Sequence, residues 1–444
     1  MSASPFSHLS LNVPDTSKPR IVVLGGGFGG IRLAQGIDTR HYQVVMLDRN
    51  NYHGFQPLLY QVATAGLEPD TIAGPLRRLF IGRRDFHFRM ARVTGIQPSE
   101  KIVDTVIGGL QYDHLVVATG SRTNFYGNPN FITHTFPLKQ VPHALDLRSH
   151  LLQNFERAVL TTDPVELEAI LNIVVVGGGP TGVEVAGALS EFKRHVLPSD
   201  YPDFDFSPLQ IHLVEGNVRL LASMSERAGK LAAKYLEALG VNLVLGTTVR
   251  DYDGKIATLS DGKAITSLSL IWAAGVSGNL PEGLPAEAVR NDRILVNDRL
   301  CVDGMSGLYA IGDIAHLADV RYPEGLPMVA PVALQQGKYL ARQFNRMAAG
   351  REVLSAFRYR HHGAMATVGR NKAVVELPGG ITFGGFAAWL FWMFVHLLSI
   401  IGFRNKIVVF SNWVWNYLTY DRGTRLIMRL FTPDGKPREK YGTY

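Results

Sequence analysis

"NIVVVGGGPTGVEVAG" (residues 172–187) begins as a short apolar run, ends that run in three glycines and continues in a helical pattern. A second stretch, "RIVVLGGGFGG" (residues 20–30), has the same order of features near the start of the chain. A short apolar run bounded by glycines predicts a buried strand, and strand, glycine turn and helix in this order are typical of a βαβ unit. The sequence therefore predicts an α/β fold with two related units.

Later segments repeat between the two halves. "YQVVMLD" (42–48) and "YDHLVVATGS" (112–121) predict further strands of the first half, and "LQIHLVE" (209–215) and "LSLIWAAG" (268–275) predict those of the second. In each half the last of these strands ends in Ala-x-Gly, which indicates an internal repeat at the scale of a domain. Helices are expected at 30–37, 143–161, 181–195, 225–239 and 329–344, and a hairpin at 364–377.

Composition narrows the class of protein. Of 444 residues, 46% are hydrophobic and 19% charged, which excludes a disordered chain. The net charge of +7 suits an anionic surface, and because no nucleic-acid motif appears, a membrane is favoured over nucleic acid. A single cysteine, Cys301, excludes an intrachain disulfide and a redox-active cysteine pair. No metal site is predicted.

The first glycine loop matches G-x-G-x-x-G through Gly25, Gly27 and Gly30. In this motif the first glycine permits a tight turn, the second lets a pyrophosphate approach the backbone, and the third lets helix and strand pack closely. Asp48 ends the next predicted strand, where a carboxylate is expected to meet a ribose hydroxyl. The context predicts a dinucleotide site rather than a structural turn.

The second loop, Gly177, Gly179 and Gly182, has Glu215 as its acid. The spacing from Gly177 is longer than usual, and an insertion at 197–208 accounts for it. An acid here favours NADH because it repels the additional phosphate of NADPH. Arg219 nearby leaves NADPH open as the alternative.

The surroundings of the two loops differ, which predicts different ligands. Only the first is followed by "NNYHGFQPLLYQVATAG" (50–66), and only "YAIGDIA" (309–315) places an aspartate, Asp313, at a late strand end. An aspartate there can bind a ribityl hydroxyl of a flavin, and a turn aspartate is the alternative.

The combination of these segments resembles the flavoproteins with two dinucleotide-binding domains. Within that group, "YHGFQPLLYQVATAG", "GAMATVGRNKAV" and the C-terminal "WLFWMFVHLLSIIGFRNKIVVFSNWVWNYLTYDRGTRLI" are similar to type II NADH dehydrogenase, the non-pumping NADH:quinone oxidoreductase. The resemblance covers about residues 20–430. It implies two Rossmann-like domains, an FAD domain (1–142 and 286–363) interrupted by an NADH domain (143–285), followed by a hairpin and a membrane-anchoring helical region (364–444).

The resemblance also implies the residues of both cofactor sites. Those expected at FAD are Gly25, Gly27, Gly30, Asp48, His53, Gln56, Pro57, Leu58, Thr119, Gly120, Gly312 and Asp313. Those expected at NADH are Gly177, Gly179, Gly182, Glu184, Glu215 and Gly275. Further cofactor contacts are implied at Phe28, Gly29 and Val332.

Three residues are catalytic candidates: Glu184, Gln335 and His362. Glu184 is interpreted as orienting the nicotinamide or handling a proton, and a helix first-turn acid is the alternative. The quinone motif Ala-Gln-x-Ala-x-Gln of the family has Pro331 at its first glutamine position, which leaves Gln335 and the neighbouring Gln336. His362 is a candidate proton donor to quinone, with an ordinary polar residue as the alternative.

The C-terminal run "FGGFAAWLFWMFVHLLSIIGF" (383–403) has no Asp, Glu, Lys or Arg. A helix dipping into one leaflet plus an amphipathic helix is favoured over a single span, and a buried homodimer interface is the third alternative. The neighbouring tryptophans and tyrosine suit an interfacial belt: Trp389, Trp392, Trp413, Trp415 and Tyr417. The basic residues suit an anionic membrane surface: Arg404, Lys406, Arg422, Arg425 and Arg429.

The sequence therefore predicts a peripheral or monotopic enzyme on the cytoplasmic face of a bacterial inner membrane. It would pass electrons from NADH through FAD to a membrane quinone without pumping protons. A soluble NAD(P)H-dependent flavin reductase with a non-quinone acceptor is the second hypothesis, and a nucleotide-sensing protein without enzymatic activity is the third.

Overall fold

A computed structural model describes residues 9–352, 354–419, 423–427 and 431 of this chain. The chain divides into two compact units, each assembled from separate segments. The first unit comprises Met1–His53, Gly74–Arg122 and Val276–His361. The second comprises Gly54–Ala73, Thr123–Gly275 and His362–Tyr444.

The first unit is organised around a parallel sheet. Its five strands lie in the order Leu308–Ala310, His114–Val117, Arg20–Leu24, Gln43–Asp48 and Phe86–Met90. All neighbours are parallel. The central strand Arg20–Leu24 and its neighbour Gln43–Asp48 are almost wholly buried, as expected of a parallel sheet covered on both faces. The α-helices Phe28–Gly36 and Ala330–Ala348 pack against each other.

Smaller elements complete the first unit. One antiparallel sheet contains Val93–Gln97, Ile102–Thr105 and Gly108–Gln111. A mixed sheet contains Val289–Arg290, Arg293–Leu295 and Ala315–His316. The remaining elements are the 3-10 turns Leu76–Phe80, Ala286–Ala288 and Gly312–Ile314 and the short strand Val276–Gly278. Short strands at Tyr52–Gly54, Ala73–Pro75 and Ser121–Thr123 lie where the chain leaves one unit for the other.

The second unit repeats the same sheet design. Its parallel strands lie in the order Phe136–Pro137, Ser269–Trp272, Asn172–Val176, Gln210–Glu215 and Val241–Leu245. In both units the glycine-loop strand is central, with the next strand on one side and the strand that ends in Ala-x-Gly on the other. The predicted internal repeat is therefore visible as an equivalent strand order.

The helices of the second unit include the one that follows its glycine loop. That helix, Pro180–Glu191, continues through a π-helical turn at Phe192–Val196. Its other α-helices are Leu59–Ala63, Pro69–Ile72, Pro129–His134, Val141–Leu160, Pro164–Leu171, Leu197–Asp200, Glu226–Ala238, Phe386–Ser399 and Phe403–Thr419. A 3-10 turn covers Gln56–Leu58.

Two antiparallel sheets also belong to the second unit. One contains Val249–Tyr252, Ile256–Leu259 and Ala264–Thr266. The other contains Ala364–Thr367, Ala373–Leu377 and Ile381–Gly385. The expected hairpin is therefore present, and a third strand extends it.

The charge-free run 383–403 does not form one continuous element. Its first residues end the strand Ile381–Gly385, and the helix Phe386–Ser399 follows. Gly385 has φ +79°, a conformation that glycine adopts at low cost, so the chain can turn sharply from strand to helix there. Within the described residues, no helix combines the length and the apolar character needed to cross a bilayer.

Candidate functional site: two glycine loops and a cavity

The first glycine loop has the geometry of a phosphate cradle. Gly25 has φ +108°, and a β-carbon there would lie 2.4 Å from the carbonyl oxygen of Ala118. A β-carbon on Gly30 would lie 2.0 Å from the carbonyl oxygen of Gly25. A β-carbon on Gly27 would meet no protein atom within 4 Å, so the open space there is on the side where a ligand approaches.

Asp48 supports this loop from the end of the neighbouring strand. Its Oδ2 accepts the Gly26 N–H at 2.6 Å, and its Oδ1 accepts the Asn50 N–H at 2.7 Å. Burial raises the pKa of this carboxyl, and these two hydrogen bonds oppose the shift. Asp48 therefore holds the loop itself, and each of its oxygens retains a lone pair that a ribose hydroxyl could use.

Two buried polar atoms next to this loop have no hydrogen-bond partner among the described residues. The Nδ1 of His53 lies 3.0 Å from the Gly26 carbonyl oxygen, the His53 ring meets Phe28 edge to face, and its buried Nε2 makes no hydrogen bond within the described part of the chain. Burial lowers the pKa of His53, so the imidazole is neutral near pH 7. The Oε1 of Gln336 accepts the Gly312 N–H at 2.6 Å, and its buried Nε2 meets no hydrogen-bond partner in the residues that the structure describes. Such orphaned atoms fit a bound ligand, because a buried polar group without a partner is costly.

The other FAD residues expected in the first unit lie just after its strands or within its two packed helices. Thr119 donates its hydroxyl to the Asn279 carbonyl at 2.7 Å, and Gly120, at φ +69°, faces open space. Asp313 accepts the Ser121 hydroxyl at 2.5 Å. Val332 is buried, and Gly29 lies close to the Ala333 carbonyl. The 3-10 turn that holds Gln56, Pro57 and Leu58 belongs to the second unit, separate from the other expected FAD residues.

The second glycine loop has the same features as the first. Gly177 has φ +110°, and a β-carbon on Gly182 would lie 1.8 Å from the Gly177 carbonyl oxygen. Gly179, like Gly27, faces open space. Glu215 accepts the Gly178 N–H through Oε2 and the Asn217 N–H, at 2.7 Å, through Oε1. The long insertion therefore leaves Glu215 at the loop, as its position at the strand end predicts.

Gly275 lies beneath an exposed tyrosine. The Tyr126 hydroxyl donates to the Ala274 carbonyl at 2.8 Å, and a β-carbon on Gly275 would lie 2.8 Å from that hydroxyl oxygen. Tyr126 is exposed and has φ +51°. The end of the strand Ser269–Trp272, where open α/β sheets bind ligands, is thus partly covered by an aromatic side chain.

A cavity of about 130 Å³ lies within the second unit, against the helix that follows the second loop. Glu184 lines it, together with Thr367 and three tryptophans: Trp389, Trp392 and Trp413. The tryptophans come from the two C-terminal helices. A cavity with one buried carboxyl and an aromatic wall fits a flat, largely apolar ligand with few polar atoms.

Glu184 is the most strongly perturbed carboxyl of this site. Burial raises its pKa to about 8, and the Thr367 N–H, 3.5 Å away, and the Trp392 indole only partly oppose the shift. Within the described ranges, the Trp392 N–H reaches hydrogen-bond geometry with no acceptor. Glu184 is therefore largely protonated near pH 7, and a buried carboxylic acid with such a pKa can donate and regain a proton. This environment favours a chemical role over that of a helix first-turn acid.

Gln335 and His362 have different surroundings from Glu184. The Gln335 side chain donates to the Arg360 carbonyl at 2.9 Å and accepts the Arg360 N–H at 3.0 Å, which fixes a surface segment. His362 is exposed and does not line the cavity. A catalytic role for either residue stays a prediction.

Two tryptophans of the predicted aromatic belt are buried, and a belt formed by the others stays a prediction. Trp392 is 1% and Trp413 8% exposed, and the Trp413 indole donates to Gln61 at 2.8 Å, so both are interior residues of the cavity wall. Trp415 is exposed, as an interfacial residue would be. Among the basic residues, Arg404 is exposed and Arg425 pairs with Asp200 at 2.8 Å, while Arg422 and Arg429 lie outside the described residues.

Glu191 and His195 are among the polar residues of the cavity that sequence reasoning did not identify. Their spacing from Glu184, seven and eleven residues, places all three on one face of a helix, and this periodicity was the available signal. No comparable periodicity indicates that Arg370 and Thr367 line the cavity, because the hairpin that carries them is distant in sequence from the Glu184 helix.

Comparisons with known proteins agree with this architecture. Residues 19–337 match the family described as pyridine nucleotide-disulphide oxidoreductase, and residues 361–420 match the NDH2 C-terminal domain. The structure of NDH2 from Plasmodium falciparum in complex with NADH has a TM-score of 0.84 at 20% identity, and the match covers 93% of this chain and all of that one. This likeness shows the fold.

Two curated relatives show the family. The type II NADH:quinone oxidoreductase Ndh of Mycobacterium tuberculosis is 34% identical over 419 residues, which cover 91% of this chain and 89% of the relative. An internal alternative NAD(P)H-ubiquinone oxidoreductase A1 of Arabidopsis thaliana mitochondria is 32% identical, over 90% of this chain and 84% of the relative. The chain therefore belongs to the type II NADH:quinone oxidoreductases, within the pyridine nucleotide-disulphide oxidoreductase family.

Proposed function

We propose that this chain oxidises NADH and reduces a membrane quinone through FAD, without pumping protons. The observation that carries the proposal is the buried Glu184 carboxyl in an aromatic-walled cavity, on the helix that begins at the second glycine loop, where burial raises its pKa to about 8. A nucleotide-sensing protein has no use for a carboxylic acid held ready to exchange a proton.

The first unit is proposed to hold FAD. The loop Gly25–Gly30 would receive the pyrophosphate at the helix N-terminus, and Asp48 and Asp313 would meet ribose and ribityl hydroxyls. The Nδ1–H of neutral His53 donates to the Gly26 carbonyl, so its Nε2 would gain a donor from the bound group, and the Gln336 amide nitrogen would gain an acceptor. Bound FAD would supply two-electron chemistry with NADH and with quinone. The domain assignment of 1–142 and 286–363 to FAD and 143–285 to NADH belongs to this proposal.

The second unit is proposed to bind NADH at Gly177–Gly182. Glu215 carries its charge at the end of the strand that follows the loop, where the adenosine ribose of a dinucleotide is held. A carboxylate there accepts ribose hydroxyls and repels a 2′-phosphate. NADH is therefore favoured over NADPH.

The cavity at Glu184 is proposed to receive the quinone ring. The tryptophan wall suits a flat ring, and the Glu184 carboxylic acid would supply a proton to a quinone oxygen. With one cysteine in the chain, no cysteine pair takes part. Roles for Gln335 and His362 in quinone reduction remain separate predictions.

Membrane attachment is proposed through the two C-terminal helices. They carry exposed apolar side chains at regular spacing: Phe386, Leu390, Phe394, Leu398, Phe403, Ile407, Phe410, Val414 and Leu418. An apolar surface of this extent marks an interaction site, and exposed Arg404 suits anionic headgroups. The cytoplasmic face of a bacterial inner membrane is the proposed location, and a homodimer is the alternative use of this surface.

One spectroscopic experiment tests the proposal. The purified protein is expected to carry yellow oxidised flavin that bleaches with NADH and regains its colour when a quinone analogue is added. Bleaching followed by recovery only with oxygen or a protein acceptor would support the soluble flavin reductase instead. Absence of bleaching would contradict both enzymatic functions.

A further inference from the structure

Quinone reduction needs one proton from solvent in each turnover. A quinone takes up two electrons and two protons to become a quinol, whereas NADH releases a hydride, which is two electrons and one proton. The balance, NADH + H⁺ + quinone giving NAD⁺ + quinol, leaves one proton to be drawn from water. If the buried Glu184 carboxyl gives a proton to quinone in this cavity, it must regain a proton that comes from solvent.

One helix face connects Glu184 with the surface. Glu184, Ala188, Glu191 and His195 follow at intervals of four, three and four residues, which places their side chains in one row. All four line the same cavity. The chain stays helical along the whole row, because the π-helical turn Phe192–Val196 directly continues Pro180–Glu191.

Exposure increases along this row. Glu184 is buried, Glu191 is partly exposed and His195 is exposed. Eleven residues of helix span roughly 16 Å, and the cavity beside them is large enough for several water molecules, each of which needs about 10–15 Å³. Ionisable groups therefore extend from solvent to the buried acid beside a space that water can fill.

Residues on the other walls of the cavity contact this row of side chains. The Arg370 N–H donates to the Glu191 carboxylate, and the Arg370 guanidinium lies 3.9 Å from the centre of the Tyr417 ring. The titratable side chains facing the cavity are Tyr60, Glu184, Glu191, His195, Arg370 and Tyr417. Among these described residues, the carboxyl and imidazole groups that suit proton exchange near neutral pH all lie on the helix row: Glu184, Glu191 and His195.

We propose that Glu191 and His195 form the proton-entry route to Glu184 along this helix face. A proton from bulk water would bind the His195 imidazole or the Glu191 carboxylate and pass through water in the cavity. It would end on the Glu184 carboxylate that has just given its own proton to quinone. The route rests on the proposed function, because it has a purpose only if quinone is reduced at this cavity.

Glu191→Gln and His195→Gln, alone and combined, test the route. Glutamine at 191 keeps an oxygen for the Arg370 N–H, and His195 is exposed, so both changes should leave the fold intact. Arg194→Gln is the matched control, since Arg194 is an exposed residue of the same turn that does not line the cavity. Stopped-flow spectroscopy of the flavin measures bleaching by NADH and reoxidation by quinone separately.

The double variant is expected to bleach normally and to be reoxidised about 10-fold more slowly, with the deficit growing as pH rises, because proton transfer then limits the rate. A larger solvent isotope effect and partial rescue by imidazole should accompany it. Wild-type reoxidation in the double variant at all pH values overturns the route, as does an equal loss in bleaching, which would indicate a structural role. If quinone fails to reoxidise the wild type, the proposed function fails, and the route fails with it.

Discussion

The two glycine loops are nearly identical in backbone and differ in what surrounds them. Gly25 and Gly177 have φ values of +108° and +110°, and in each loop the third glycine lies against the carbonyl of the first. In each an acid at the end of the next strand accepts the N–H of the glycine that follows the first. The loops alone therefore cannot explain two different cofactors.

The surroundings provide the difference. Beside the first loop lie a neutral buried histidine and a second helix, whose Gly337 packs close to the Gly29 carbonyl. Behind the second loop, the helix itself carries Glu184 into a cavity. The glycine loop therefore determines the class of ligand, a dinucleotide. The residues that surround each loop determine which reaction takes place there.

Replacing the buried acid on the helix that follows the second loop should have the largest effect of these changes on turnover. Glu184→Gln removes the exchangeable proton and keeps the shape, so turnover with quinone is expected to fall about 100-fold while FAD content stays unchanged. Steady-state kinetics and flavin absorbance measure both quantities. Glu226→Gln is the control, because Glu226 is an exposed first-turn helix acid. Equal behaviour of the two variants would return Glu184 to the role of an ordinary helix acid.

The same variant has a predicted effect on stability against pH. The Glu184 pKa is raised from 4.5 to about 8 by burial, so ionising it costs free energy in the folded protein. The wild type should lose stability, relative to Glu184→Gln, as pH rises from about 4.5 through 8. Thermal melts of both proteins across this range check the sign. A constant difference in melting temperature would mean that Glu184 titrates near its ordinary value.

A matched pair of glycine substitutions should show which loop binds FAD and which binds NADH. A β-carbon on Gly27 or Gly179 meets no protein atom within 4 Å, so Ala at either position should fold normally and crowd only the ligand. Gly27→Ala is expected to weaken FAD retention, and Gly179→Ala to keep FAD while raising the KM for NADH about 10-fold. Flavin content and NADH kinetics are the measurements. Loss of FAD from Gly179→Ala would reverse the assignment of the two loops.

The sequence was sufficient for the parts of the molecule that depend on local pattern. The two parallel sheets, the helix Val141–Leu160 and the hairpin at 364–377 follow from apolar runs and glycine positions. The cavity does not, because its walls come from segments distant in sequence: the Glu184 helix, the Thr367 strand and the C-terminal helices. Trp392 and Trp413 looked like surface residues, since aromatic composition alone does not show which side of a helix is covered.

Removing the negative charge at the end of the strand that follows the second loop should have the smallest effect, and this effect is on the preference for NADH over NADPH. Glu215→Gln keeps an acceptor for the Gly178 N–H and removes the negative charge, so the kcat/KM for NADPH relative to NADH should rise about fivefold. Asp48→Asn makes the same change at the first loop, where the Gly26 N–H is accepted, and should leave this ratio unchanged. If the two substitutions altered the ratio equally, nucleotide preference would not reside in the second loop. If neither did, the selectivity would have to come from a neighbour such as Arg219, whose guanidinium donates to the carbonyls of Met224 and Ala222.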